Sequence, residues 1–222
     1  MNKADYTAMR RNMIDSQLRT NNVTDAALLR AIEQTPREYF VPAAYATMAY
    51  TDRPVTLENS TSARVLNPPL SAALLLGTAQ IKASDHVLLI GAGTGYSAVL
   101  LGQLAKSVVA IDDDAALLSL AQANLARSQL LNVELITAPM ADGYAAGAPY
   151  DVIVIDGAIE QLPDSVVSQL VDGGRCVSGY KKGPVTQLVS GIKCNDTIAL
   201  HAFIDNEIAP LRAFERKAEF VF

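Results

Sequence analysis

The strongest constraint on this chain is an unbroken apolar run that ends in glycines. His86-Val87-Leu88-Leu89-Ile90 leads straight into Gly91-Ala92-Gly93-Thr94-Gly95. A run without polar alternation marks a strand buried on both faces, as in a parallel sheet. Similar runs follow at Val108-Val109-Ala110-Ile111, Val133-Glu134-Leu135-Ile136 and Asp151-Val152-Ile153-Val154-Ile155, and another starts at Arg175-Cys176-Val177. Helical stretches are expected between them at 96–105, 115–127 and 163–170. Strand and helix in alternation build βαβ units with right-handed crossovers. The expected fold class is therefore α/β, a doubly wound, mostly parallel, Rossmann-like sheet.

The first third reads differently. Tyr6, Met9, Met13 and Leu18 share one helical face, and Thr24 or Asp25 can cap a helix through Leu28 and Ile32. Prolines break the stretch from Tyr50 to Pro69 into loop and short extended pieces, and a helix is expected at 70–78. The tail holds strand candidates at 185–189, 198–204 and 220–222. The chain has 222 residues, half of them apolar, and shows no repeat or low-complexity linker. One domain over 1–222 is expected, with 1–80 as an N-terminal helical elaboration and 81–222 as the core.

Charge and cysteine usage exclude several classes. The net charge is −5, without the basic stripe that clamps nucleic acid. No stretch reaches the roughly 18 apolar residues of a membrane span. Residues 1–17 are charged throughout, without the apolar core of a signal peptide, so a cytoplasmic protein is expected. Cys176 and Cys194 are the only cysteines, Cys176 is expected in a buried strand, and no Cys/His cluster has metal-ligand spacing, so no metal is expected.

The glycine turn carries the chemistry. Gly91, Gly93 and Gly95 let the backbone turn sharply and let a ligand approach it, while the next helix offers unpaired N–H groups. The dinucleotide fingerprint is G-x-G-x-x-G. Here the third glycine comes one residue early, and this G-x-G-x-G form resembles the first motif of class I methyltransferases, whose cofactor is S-adenosylmethionine. Asp112 ends the next apolar run, where a carboxylate can accept hydrogen bonds from both ribose hydroxyls. Otherwise the glycines only turn the chain and Asp112 only begins a helix.

The wider pattern resembles the protein-L-isoaspartate O-methyltransferase family. The resemblance runs from about Met9 to Val177. It rests on Met13-Ile14-Asp15-Ser16-Gln17-Leu18, on Thr35-Pro36-Arg37-Glu38-Tyr39-Phe40-Val41-Pro42, and on the block Val87 to Tyr96. Gly143-Tyr144 with Ala148-Pro149-Tyr150-Asp151, and Gly173-Gly174-Arg175, continue it. The Pro-Arg-Glu-x-Phe-Val-Pro run is the specific part. The resemblance implies a doubly wound sheet and methyl transfer to the free carboxylate of isoaspartyl residues in damaged proteins. The implied partner is thus an isoaspartyl-containing protein or peptide, or else a small-molecule acceptor, with no nucleic acid or membrane.

Two segments depart from the family. Its Gly-Gln-Thr-Ile-Ser-x-Pro segment, aligned without a gap on Pro68, reads here Ser62-Ala63-Arg64-Val65-Leu66-Asn67-Pro68. Arg64 stands for the threonine and Leu66 for the serine near the transferred methyl; a gap brings Thr61 or Ser62 there instead. The family's Gly-Asp-Gly after its third strand appears as Ala138-Pro139-Met140, with Asp142 nearby as a substitute adenine contact.

Two residues are candidates to act on the acceptor. Arg64 can grip a carboxylate with two prongs, or serve a structural ion pair. Asp156 follows the Val152-Ile153-Val154-Ile155 run, beside the point where ligands bind in open α/β sheets, or it is a turn acid. An ionised carboxylate acceptor needs no general base, so Asp156 as a base points to another acceptor. His86 and His201 are expected to be structural. Three other readings stay open: a methyltransferase for another small acceptor, a non-catalytic module that binds the cofactor, and a nicotinamide oxidoreductase. The oligomeric state is left open.

Overall fold

The computed structural model describes residues 5–57 and 64–216. An N-terminal helical layer comes first. Helix α1 (Tyr6–Met13) continues through a wider turn at Ile14–Leu18, and α2 (Ala26–Gln34) follows. Asp25 starts α2: its carboxylate accepts the Ala27 N–H at 2.8 Å and the Leu28 N–H at 3.2 Å, satisfying donors that a helix leaves unpaired. Two 3-10 segments, Arg37–Phe40 and Ala43–Tyr50, lead to a hairpin of β1 (Val55–Thr56) and β2 (Val65–Leu66). Helix α3 (Pro69–Ala79) begins on a proline, whose missing N–H costs nothing there.

The sheet then unfolds in sequence. Strand β3 (His86–Ile90), α4 (Tyr96–Leu104), β4 (Ser107–Asp112), α5 (Ala115–Ser128) and β5 (Val133–Thr137) form one half. Strand β6 (Tyr150–Ile159), the short α6 (Asp164–Val167) and β7 (Leu170–Lys182) begin the other. Strands β8 (Val185–Cys194), β9 (Thr197–Ile198) and β10 (His201–Asp205) close it. The main order is β10-β8-β7-β6-β3-β4-β5, with β9 paired to β8. The stretch from β7 to β5 is parallel, while β8 pairs antiparallel with β7 and β10 antiparallel with β8. Strand order reverses between β3 and β6, and a crevice forms at such a point outside the carboxyl ends of the strands. Val87 through Ile90 are wholly buried; each such side chain contributes about 1.5–3 kcal/mol.

One apolar cluster joins Met13, Leu28, Phe40 and Leu76 of the N-terminal region to Val87, Leu89, Val108 and Val152 of the sheet. The expected helix at 163–170 is reduced to α6, because Leu170 already pairs with Tyr150 as the start of β7. The expected strand at 198–204 is split, with Leu200 between β9 and β10. Candidate strand 220–222 lies outside the described residues. Asp25, not Thr24, is the cap of α2. Among the described residues no helix is long and apolar enough to cross a membrane, and no cluster of His, Cys, Asp or Glu is arranged for a metal.

Candidate active site

The glycine turn closes the carboxyl end of β3 at the sheet's reversal point. Gly91, Gly93 and Gly95 all have positive φ, at 86°, 53° and 91°, a region that favours glycine. At Gly95 space matters as well as φ. An added Cβ would stand 3.1 Å from the Ala121 Cβ on α5, so glycine lets the start of α4 press against that helix.

Asp112 ends β4 next to this turn and is fully buried. Its Oδ2 accepts the Gly93 N–H at 2.8 Å. Its Oδ1 accepts the Asp114 N–H at 3.1 Å and Arg64 Nη1 at 3.0 Å. Asp114 itself caps α5 through the Ala116 and Leu117 N–H groups. The carboxylate is thus fixed by backbone donors at the position expected for a ribose-binding acid.

The sequence gives Arg64 two readings, and the structure places it in an ion pair. The guanidinium is buried against Asp112, and Nη1 also lies 3.8 Å from Met140 Sδ. Nη2 would stand 3.3 Å from a Cβ built on Gly91. The side chain therefore lies over the glycine turn, between Gly91 and Asp112. Leu66 is buried in the apolar cluster with Met13 and Val87. Thr61 and Ser62 lie outside the described residues.

Asp156, in β6, sits across the turn from Asp112, with its carbonyl oxygen 3.5 Å from the Gly91 Cβ position. Both carboxylate oxygens are engaged. Ser97 Oγ donates to Oδ2 at 2.5 Å, and Asn67 Nδ2 donates to Oδ1 at 2.8 Å. Neither partner stood out in the sequence; a small polar residue inside the apolar α4, and an Asn before two prolines, were the available signals. Asp142 is exposed on the turn Met140–Asp142 after β5, and among the described residues its side chain makes no hydrogen bond or ion pair. His86 is structural: its ring bonds Ser107 Oγ and the Gly147 carbonyl and stacks on Tyr150 at 4.8 Å. His201 is exposed on β10, far from this turn in the sheet order.

Arg37, within the Pro-Arg-Glu-x-Phe-Val-Pro run, underlies the site. It has no exposure. Nε donates to the Ala49 carbonyl at 2.8 Å, Nη2 to the Asn67 carbonyl, and the guanidinium lies 4.5 Å from the centre of the Tyr96 ring. Burial pushes the Tyr96 hydroxyl above the usual tyrosine range, with Arg37 acting against it.

The match to known proteins bears on this geometry. Residues 8–201 fit the family model of protein-L-isoaspartate(D-aspartate) O-methyltransferase. The chain belongs to this family. A protein-L-isoaspartate O-methyltransferase of Koribacter versatilis is 39% identical over 168 residues, covering 76% of this chain and 74% of that protein. One from Methanoculleus marisnigri is 33% identical over 184 residues, covering 83% and 82%. A solved structure named protein-L-isoaspartate O-methyltransferase aligns with TM-score 0.79 and 22% identity, over 91% of this chain and 65% of that one. A Plasmodium falciparum structure of the same description, in complex with S-adenosyl-L-homocysteine, aligns with TM-score 0.78 and 16% identity, over 95% of this chain and all of that one. These two structures share the fold. Family membership places the chain among S-adenosylmethionine-dependent methyltransferases, not nicotinamide oxidoreductases.

Proposed function

We propose that this chain transfers a methyl group from S-adenosylmethionine to the free carboxylate of isoaspartyl residues in damaged proteins. The observation that carries the reading is Asp112: a buried carboxylate, fixed by the Gly93 N–H, beside a turn of three positive-φ glycines. These residues fit the cofactor. Gly91, Gly93 and Gly95 leave the backbone open to close approach, the start of α4 offers N–H groups to an amino-acid carboxylate, and Asp112 accepts from ribose hydroxyls once Arg64 has moved off it. Asp142, exposed two residues beyond Met140, is the candidate adenine contact.

When bound, the cofactor supplies a methyl on a sulfonium for in-line displacement. The chain's own task is placement and exclusion of water. A carboxylate nucleophile arrives ionised and needs no proton removed. In this reading Asp156 shapes the acceptor side through Asn67 and Ser97 rather than acting as a base, and Arg64 is the nearby cation for the acceptor carboxylate.

A second reading is transfer to another small acceptor, favoured by Leu66, which is buried and offers no hydroxyl to an acceptor. Transfer of labelled methyl to matched isoaspartyl and aspartyl peptides separates the two. The isoaspartyl peptide should be methylated and the aspartyl peptide should not. The rate should fall about tenfold to a hundredfold below that of a relative with the family's serine, the value of one lost polar contact. No transfer to the isoaspartyl peptide, with cofactor binding intact, would move the assignment to another acceptor.

A further inference from the structure

Asp112 is asked to do two incompatible things. A carboxylate oxygen accepts about two hydrogen bonds. Oδ1 already takes Arg64 Nη1 at 3.0 Å and the Asp114 N–H at 3.1 Å, and Oδ2 takes the Gly93 N–H at 2.8 Å. The two backbone donors are fixed by the glycine turn and by the start of α5. What remains is too little for two ribose hydroxyls while the guanidinium is in place. The same guanidinium also covers Gly91, where close approach of a ligand is the purpose of the glycine.

We infer that Arg64 is an internal competitor of the cofactor: it occupies an acceptor of Asp112 that the ribose needs and must leave before the ribose can bind. The inference rests on the assignment of S-adenosylmethionine to this site. The pairing has a physical cause. Asp112 is fully buried, and a buried carboxylate without a counter-charge is strongly disfavoured. Arg64, beside β2 and over the turn, supplies that charge. Its backbone carbonyl accepts the Leu57 N–H at 2.9 Å across the hairpin, which fixes the main chain from which the guanidinium reaches Asp112. The pairing stabilises the fold at the expense of cofactor affinity. It also orders the reaction, because a guanidinium bound to Asp112 becomes available to an acceptor carboxylate only after the cofactor is seated.

Calorimetric titration of native protein, Arg64→Met and Arg64→Lys tests this, with S-adenosylhomocysteine and 5′-methylthioadenosine as probes. The second probe keeps the ribose and lacks the amino-acid carboxylate. Arg64→Met should melt at a lower temperature than native protein without ligand, yet bind both probes about tenfold more tightly. Arg64→Lys, which keeps the cation on a single-point donor, should fall between. It carries the test if the Met variant does not fold. Equal or weaker binding of both probes by both variants would overturn the inference. Weaker binding of S-adenosylhomocysteine alone would also overturn it, by showing that Arg64 grips the cofactor carboxylate. If native protein and variants bind neither probe, the cofactor assignment itself fails.

Discussion

Asn67 clamps Asp156 to the chain's tail: its Nδ2 donates to Asp156 Oδ1 at 2.8 Å while its Oδ1 accepts the Ala209 N–H at 2.9 Å. Ser97 holds the other carboxylate oxygen. A carboxylate so fully engaged is set to shape a wall. Asp156→Asn is therefore expected to keep methyl transfer to an isoaspartyl peptide within about tenfold of native, because the acceptor needs no base. A loss of about a hundredfold or more at unchanged S-adenosylhomocysteine affinity would instead mark Asp156 as a general base.

The clamp also predicts a stability effect. Asn67→Ala leaves the Ala209 N–H and one oxygen of Asp156 without a partner. Urea denaturation should show a loss of about 1–3 kcal/mol. Cofactor affinity should change little, since Asn67 has no hydrogen bond to Asp112 or to the glycine turn among the described contacts.

Arg37 is the buried cation beneath Tyr96. Lysine keeps the charge but cannot reach the Ala49 and Asn67 carbonyls with two separate nitrogens while lying flat on the ring. Arg37→Lys should cost about 1–3 kcal/mol in urea denaturation. A neutral result would show that the two carbonyls find other donors.

The cysteines give a pH-dependent test of the core. Burial pushes the Cys176 thiol up to about 12, and Cys194 is exposed. The thiolate is the reactive form, so Cys176 stays protonated until the pH approaches that value. Iodoacetamide at about pH 8 should label Cys194 alone in the native protein and both residues in denaturant. Raising the pH by about one unit should not bring Cys176 into the native reaction. Native labelling of Cys176 would contradict its place in the centre of β7.

Much of this was legible in sequence because it is local. The run Val87 to Ile90 and its glycines specify a buried strand and a tight turn within a few residues, and both formed as expected. So did α4 and α5, with ends shifted by one residue. The failures concern positions where tertiary pairing decides. Leu170 reads as part of an apolar helix, but its backbone pairs with Tyr150 and it starts β7. Arg64 is the clearer case. Its partner Asp112 is 48 residues away, and nothing in the spacing of either residue says that the hairpin arm folds onto the end of β4. The strand pattern put Asp156 just past a strand ending at Ile155, whereas β6 runs on to Ile159 and holds Asp156 within it; Asn67 and Ser97 come from separate elements that meet it only in the folded chain.

The most direct test of the account is the affinity for S-adenosylhomocysteine of native protein, Arg64→Met and Arg64→Met with Asp112→Asn, measured by calorimetry with NAD as the control ligand. The asparagine keeps an acceptor for the Gly93 N–H but loses the charge that holds the ribose hydroxyls. Native protein should bind S-adenosylhomocysteine and not NAD, and, with Arg64→Met as the common background so that the competing guanidinium is absent, adding Asp112→Asn should weaken binding by about 1.5–3 kcal/mol, the value of hydrogen bonds to a charged group. Affinity unchanged by Asp112→Asn in that folded background, or binding of NAD alone, would contradict the placement of the cofactor on Asp112.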